Sequence, residues 1–205
     1  MVKRYCSQVE FSCNVFLITN EKNESILIDP GFSSKRMMDD LKNTKLLAIL
    51  LTHGHFDHIA SVDKIKSIYN DVDVYCFEED NDFLANPKKN CSFYTDNIIS
   101  ISSPLKQFNN FIKIGDFEIE VFLTPGHTSG GAVYYFKNNN AIFFGDTIIE
   151  SSIGRMDLYS SSPSKMRESL NKLKQINFLN NDLCYFGHGS TMDYKTLKMI
   201  NNYLK

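Results

Sequence analysis

No run in this chain approaches the ~18 consecutive apolar residues that a membrane-spanning helix requires, and no low-complexity tract or Pro- and Gly-rich linker interrupts it. Cysteine is sparse and unpatterned. The five present (Cys6, Cys13, Cys76, Cys91, Cys184) are an odd set with no CxxC spacing. They fit free thiols in a reducing compartment better than a disulfide framework. The first residues, MVKRYCSQVEFSCNVFLITN, lack the uninterrupted apolar region and small-residue cleavage site of a signal peptide. A cytoplasmic location is therefore expected. An excess of charge of one sign is missing too. Lys and Arg total 22 against 24 Asp and Glu, a formal net charge of −2, which gives no electrostatic reason to expect nucleic acid or an anionic membrane as partner.

What remains is the composition of a globular protein with a proper core: 42% hydrophobic and 22% charged over 205 residues. That length suits one sizeable domain, expected over 1–205. Residues 15–19 and 26–29 flank the polar turn 20–25 and predict a hairpin. The run LLAILL (46–51) has the near-continuous apolar character of a strand buried on both faces. After it, Ile59, Val62, Ile65 and Tyr69 recur at helical spacing, and 72–77 predicts another strand. Phe117, Ile119, Val121 and Leu123 alternate as a half-buried strand does, and 132–136 and 141–144 follow around the turn-like 137–140. Ser162 before Pro163 opens a helix that places Met166, Leu170 and Leu173 on one face, and a last helix is expected over 193–204. The polar stretch 81–103 reads as a long surface excursion. Strands interleaved with helices indicate an α/β fold with layered sheets.

The chemistry concentrates in Thr52-His53-Gly54-His55-Phe56-Asp57-His58, directly after the buried strand 46–51. Three imidazoles and a carboxylate within six residues are hard to hold together without a metal; imidazole suits Zn, Fe or Ni, and the carboxylate adds compensating charge. His53 and His55 can reach one metal from alternate positions of an extended segment, while Asp57 and His58 can reach a neighbouring one. Only two other histidines exist. His127 sits in Thr124-Pro125-Gly126-His127-Thr128-Ser129-Gly130 and His188 in Phe186-Gly187-His188-Gly189, each in a Gly-flanked loop after an apolar strand. A further strand ends in Gly145-Asp146-Thr147. Asp146 alone would read as a turn or helix-cap residue. With the histidines it becomes one of four strand ends that each deliver a metal-capable side chain, the usual way in which α/β folds build active sites.

The pieces HGHFDH (53–58), PGHTSG (125–130), FFGDT (143–147) and GHG (187–189), with LIDPG (27–31) before them, resemble the metallo-β-lactamase-fold superfamily. Within it the chain is similar to the short, single-domain branch of glyoxalase II-like (hydroxyacylglutathione hydrolase-like) enzymes, which the segment SIGRMDL (152–158) also resembles. The resemblance implies a four-layer αββα sandwich with the site at one edge and two divalent metal ions, Zn first, with Fe or Mn as alternatives. It assigns His53, His55 and His127 to the first metal, Asp57, His58 and His188 to the second, and Asp146 to a bridge between them. Asp29 would support the metal loop, and Arg155 with Asp157 would order the segment after Asp146.

The activity so implied is hydrolysis of a small-molecule thioester or ester by water activated at the metal pair, with Asp57 and Asp146 as catalytic residues. Two departures narrow it. The β-lactamases of this superfamily typically use a cysteine ligand and lack the bridging aspartate, whereas Asp146 is present here and Cys184 falls in an apolar strand. Antibiotic hydrolysis is thus not the expected main activity. Glyoxalase II itself continues past the GHG motif into a helical domain that contacts glutathione, and here sixteen residues follow Gly189. Two other readings compete: a mononuclear iron persulfide dioxygenase, using the equivalents of His53 or His55, His127 and Asp146, and a non-catalytic metal-binding module. The latter ranks last because all seven ligand positions are filled. Substrate contacts are expected from the loops around 81–103 and 148–162.

Overall fold

The computed structural model describes residues 1–7, 12–107 and 109–205. Its first half forms one six-stranded sheet: β1 (Val2–Tyr5), β2 (Val15–Thr19), β3 (Glu24–Ile28), β4 (Lys45–Leu50), β5 (Asp73–Tyr75) and β6 (Leu105–Lys106), in that order. The first three pair antiparallel and the last three join parallel. The second half forms another, from β7 (Phe111–Ile114), β8 (Phe117–Leu123), β9 (Ala132–Phe136), β10 (Ala141–Gly145), β13 (Leu183–Phe186) and β14 (Met192–Asp193), with β13 parallel to β10. Between them in sequence, β11 (Ile148–Ile149) and β12 (Ser152–Ile153) make a small separate ribbon.

Strand periodicity explains the layering. Successive side chains point to opposite faces. In β2, Phe16 and Ile18 join the cluster between the sheets, while Val15 and Leu17 join an outer one. Around β4, Ala48 and Leu50 face inward, and Ile49 and Leu51 face outward. The outer face of the first sheet is covered by α1 (Lys35–Lys42) and α3 (Val62–Ile68), through Met37, Leu41, Val62 and Ile65. In the second sheet Tyr134, Phe136 and Phe143 turn to the central layer, and Val133, Tyr135, Ile142 and Phe144 to a third cluster. That cluster is closed by α5 (Pro163–Lys174) and α6 (Tyr194–Ile200). The inner strands are buried on both faces, which is why β2, β9 and β10 read as unbroken apolar runs, while β8, with Glu118 exposed, alternates. The four layers run helix, sheet, sheet, helix, as an αββα sandwich requires.

Several boundaries differ from the sequence reading for identifiable reasons. The helix expected after His58 divides into α2 (Phe56–Ile59) and α3, because the Ser61 N–H turns away to Pro30 O at 2.8 Å. The last helix stops at Ile200, and Asn201 takes an extended conformation before one short turn. The 81–103 excursion holds α4 (Asn81–Ala85) and a tight hydrogen-bonded loop rather than being irregular throughout. No helix among the described residues is long and apolar enough to cross a membrane.

Candidate metal centre

The parallel pairs β3–β4 and β10–β13 end at a common edge, and there the chain turns four times into loops that carry imidazole or carboxylate. The first loop leaves β4 through Leu51 and Thr52. It is set by Asp29, which follows β3 with φ +49° and whose backbone N–H reaches Leu50 O at 3.1 Å. The Asp29 carboxylate accepts the Thr52 N–H at 2.7 Å and the Thr52 hydroxyl at 2.6 Å, and lies 2.9 Å from His58 Nδ1. A carboxylate only accepts, so Nδ1 of His58 carries a proton and Nε2 is the nitrogen left facing the site.

The second loop leaves β8, and in it His127 Nδ1 meets Arg155 O at 2.8 Å. A carbonyl likewise only accepts, so His127 Nε2 turns its lone pair toward His55 Nδ1, 2.9 Å away. The third follows β10: Gly145 at φ +52° turns the chain so that Asp146 projects into the centre. The fourth follows β13, where the Gly187 N–H donates to Gly145 O at 2.8 Å and locks the His188 loop to the Asp146 loop.

All seven residues singled out from the sequence converge. His53, His55 and His127 form one group of closely spaced donor atoms, Asp57, His58 and His188 another, and Asp146 joins His53 and His58 in a third that overlaps both. Asp146 Oδ1 lies 3.5 Å from His58 Nε2, and its Oδ2 lies 3.5 Å from both His127 Nε2 and His188 Nε2. His188 Nε2 also approaches Asp57 Oδ2 at 3.2 Å. The ring centroids of His53 and His58 are 4.1 Å apart. Among the described residues, Nε2 of His53, His55 and His58 and Oδ1 of Asp146 are buried with no hydrogen-bond partner. Buried polar atoms are rarely left so. The set fits divalent cations, which take neutral imidazole and carboxylate ligands at such spacing.

The electrostatics divide the same way. Burial, and then the neighbouring His58, hold the His53 imidazole well below its ordinary pKa; burial and His127 push His55 down to about 3. These two rings stay neutral, the form that binds metal. Burial opposes protonation of His58 and His188, but the surrounding carboxylates outweigh it and raise them to about 9 and about 10. Asp57 and Asp146 stay ionised despite burial, chiefly through His58.

Above the donors opens a cavity of about 400 Å³. Besides the donors and Phe56 it is lined by Cys91, Tyr94 and Thr95 and by Arg155 and Leu158, which belong to the two loop regions expected to face substrate. Arg155 pairs with Asp157 at 2.7 Å as anticipated, but both side chains are mostly exposed and the pair contributes little. Its backbone carbonyl, which fixes His127, has the larger part. No composition signal announces that.

Two sheets faced by helices, with histidines and aspartates gathered at one edge, define a metal-centred α/β sandwich. Residues 9–188 match the Metallo-beta-lactamase superfamily, and the chain belongs to that family. It is similar to the probable metallo-hydrolase YqgX of Bacillus subtilis, 31% identical over 194 residues, covering 92% of this chain and 90% of that one. It is also similar to the hydroxyacylglutathione hydrolase GloC of Haemophilus influenzae, 29% identical over 206 residues, covering 95% and 93%. Among solved structures it resembles BLEG-1 B3 metallo-beta-lactamase, with a TM-score of 0.90 and 29% identity over 100% of both chains. Family membership and these relatives make the chain a metal-dependent hydrolase.

Proposed function

We propose that the chain is a binuclear hydrolase of small-molecule thioesters or esters. The observation that carries this reading is the overlap of the donor groups at Asp146, with partnerless buried atoms on both sides of it. His53, His55 and His127 would hold one ion, Asp57, His58 and His188 the other, and Asp146 both. Zn is the first expectation, with Fe or Mn as alternatives. Such ions supply Lewis acidity to a carbonyl and lower the pKa of water from ~15.7 to about 7.

The chain's own residues do the rest. Asp57, lining the cavity beside His188, accepts a hydrogen bond from the attacking water and aims it. The Tyr94, Arg155 and Leu158 wall confines the acyl group against the donors. Burial of His53 and His55 excludes bulk water beneath the reacting carbonyl. A thiolate leaves readily, so no separate proton donor is needed. The hydroxyacylglutathione hydrolase named above is matched over nearly its whole length, which supports thioesters. The proposed setting is cytoplasmic, supported by five free cysteines, with neither nucleic acid nor membrane as partner.

A second reading, β-lactam hydrolysis, is favoured by the 0.90 TM-score to a B3 metallo-beta-lactamase. Elemental analysis of purified protein, with initial rates on a panel of S-acylglutathiones, simple thioesters, esters and a chromogenic cephalosporin, separates the two. Asp146→Ala should abolish thioester turnover and lower metal content. Full activity in that variant sinks the shared-ligand role, and cephalosporin turnover well above thioester turnover replaces the substrate class.

A further inference from the structure

Asp80 belongs to neither donor group and has no part in the function proposed above. It is nevertheless wholly buried, at the end of the short turn Glu78–Asp80 that precedes α4. Its Oδ2 accepts the Gly54 N–H at 3.0 Å and the Thr128 hydroxyl at 2.7 Å. Its Oδ1 accepts the Gly130 N–H at 2.5 Å and faces the Ser129 hydroxyl at 3.4 Å. Every one of these donors lies in just two segments. Gly54 stands between His53 and His55, and Thr128 to Gly130 directly follow His127.

We propose that Asp80 is a positioning residue for the first metal position, clasping the loop of His53 and His55 to the loop of His127. This rests on the binuclear reading. A buried carboxylate is tolerated when charge-assisted hydrogen bonds replace its water, and here backbone amides from both loops do so. The fit is close on both sides. A Cβ on Gly130 would lie 2.7–2.8 Å from Asp80 atoms, and one on Gly54 would lie 2.4 Å from Phe83 Cβ. The second position has anchors of its own, since Asp29 holds His58 directly and the Gly187 amide holds the His188 loop. Loss of Asp80 therefore acts unequally on the two ions.

The test strips the full chain with chelator and titrates it with Co²⁺ alone, reading ligand-field absorption and ions retained per chain. His127→Ala and His188→Ala supply the reference spectra of the second and first positions. In Asp80→Asn an amide donor faces an N–H donor, whichever way the side chain is turned. The ion of the first position should then bind about 10- to 100-fold more weakly, as loss of a ligand's supporting partner does, while the second keeps wild-type affinity. Thr128→Val removes one donor and should weaken the same ion by a smaller factor. Wild-type affinity at the first position, or equal weakening at both, overturns the proposal. If Asp80→Asn does not fold, Thr128→Val decides, and unchanged affinity there is the overturning result. A wild-type chain that binds a single ion refutes the binuclear reading instead. Asp80 is then judged on that ion: weaker binding in Asp80→Asn supports the clasp and unchanged binding overturns it.

Discussion

Gly187 carries no functional group, yet its hydrogen atom is the only side chain the site admits there. A Cβ would stand 2.1 Å from Asp146 Oδ1 and 2.6 Å from His58 Cε1. Gly187→Ala should displace Asp146 by the order of an ångström and lower kcat/KM about 100-fold, measured on the best thioester, with far-UV circular dichroism unchanged. The histidines make a second prediction, for the metal-free protein. Between pH ~6.5 and their lowered folded values, about 3 for His55, the unfolded chain protonates His53 and His55, while the folded chain, holding them low through burial, does not. Stability is lost as pH falls through that window, by up to about 1.4 kcal/mol per pH unit for each ring. His58 and His188, raised to about 9 and about 10, stabilise fully below pH ~6.5 and cease to as pH climbs through those values. The thermal midpoint of chelator-treated protein should accordingly peak near pH 6.5 and decline on both sides; a midpoint rising steadily from pH 5 to 9 would contradict these assignments. At this scale the donors were legible, because each sits in a chemically unusual motif after an apolar run. Asp80 was not, since its partners Gly54 and Gly130 lie 26 and 50 residues away and no motif surrounds it.

Among the elements, α6 reaches the site indirectly. Asn201, buried just after it, donates to Glu150 O at 2.7 Å and Ser152 O at 2.8 Å, and so pins the β11–β12 ribbon from which Arg155 continues. Asn201→Ala leaves two carbonyls without their donor and should cost about 2–4 kcal/mol, read by urea denaturation, with a rise in KM larger than any fall in kcat. At the start of α1, Ser34 accepts the Met37 N–H at 3.2 Å. Its hydroxyl serves the helix end, so Ser34→Ala should cost about 1 kcal/mol and leave kinetics unchanged. Element types were readable from periodicity. Their ends were not, because a tertiary hydrogen bond, Ser61 to Pro30, decides where a helical pattern breaks. Strand order was equally hidden. The inner strands of both sheets are apolar on both faces, and no residue pattern says which edge meets which.

For the molecule as a whole, the central layer and the metal centre are joined through β4, so ion binding adds to fold stability. Each ion at 100 times its dissociation constant contributes about 2.7 kcal/mol, and chelation should lower Tm by roughly 5–11 °C per ion removed for a chain of this size. A scan with and without chelator checks it; an unchanged midpoint would mean that ions bind no tighter to the folded chain than to the unfolded one. The order of the donors along the chain has a consequence during synthesis. The first set is complete once residue 127 has been made, but β13, which delivers His188, docks beside β10 only after residues 183–186. At 5–20 residues per second, about 3–12 s of translation separate the two. On the binuclear reading proposed above, a ribosome-bound chain arrested before residue 183 should capture at most one ion, and the second position is assembled only as β13 docks beside β10.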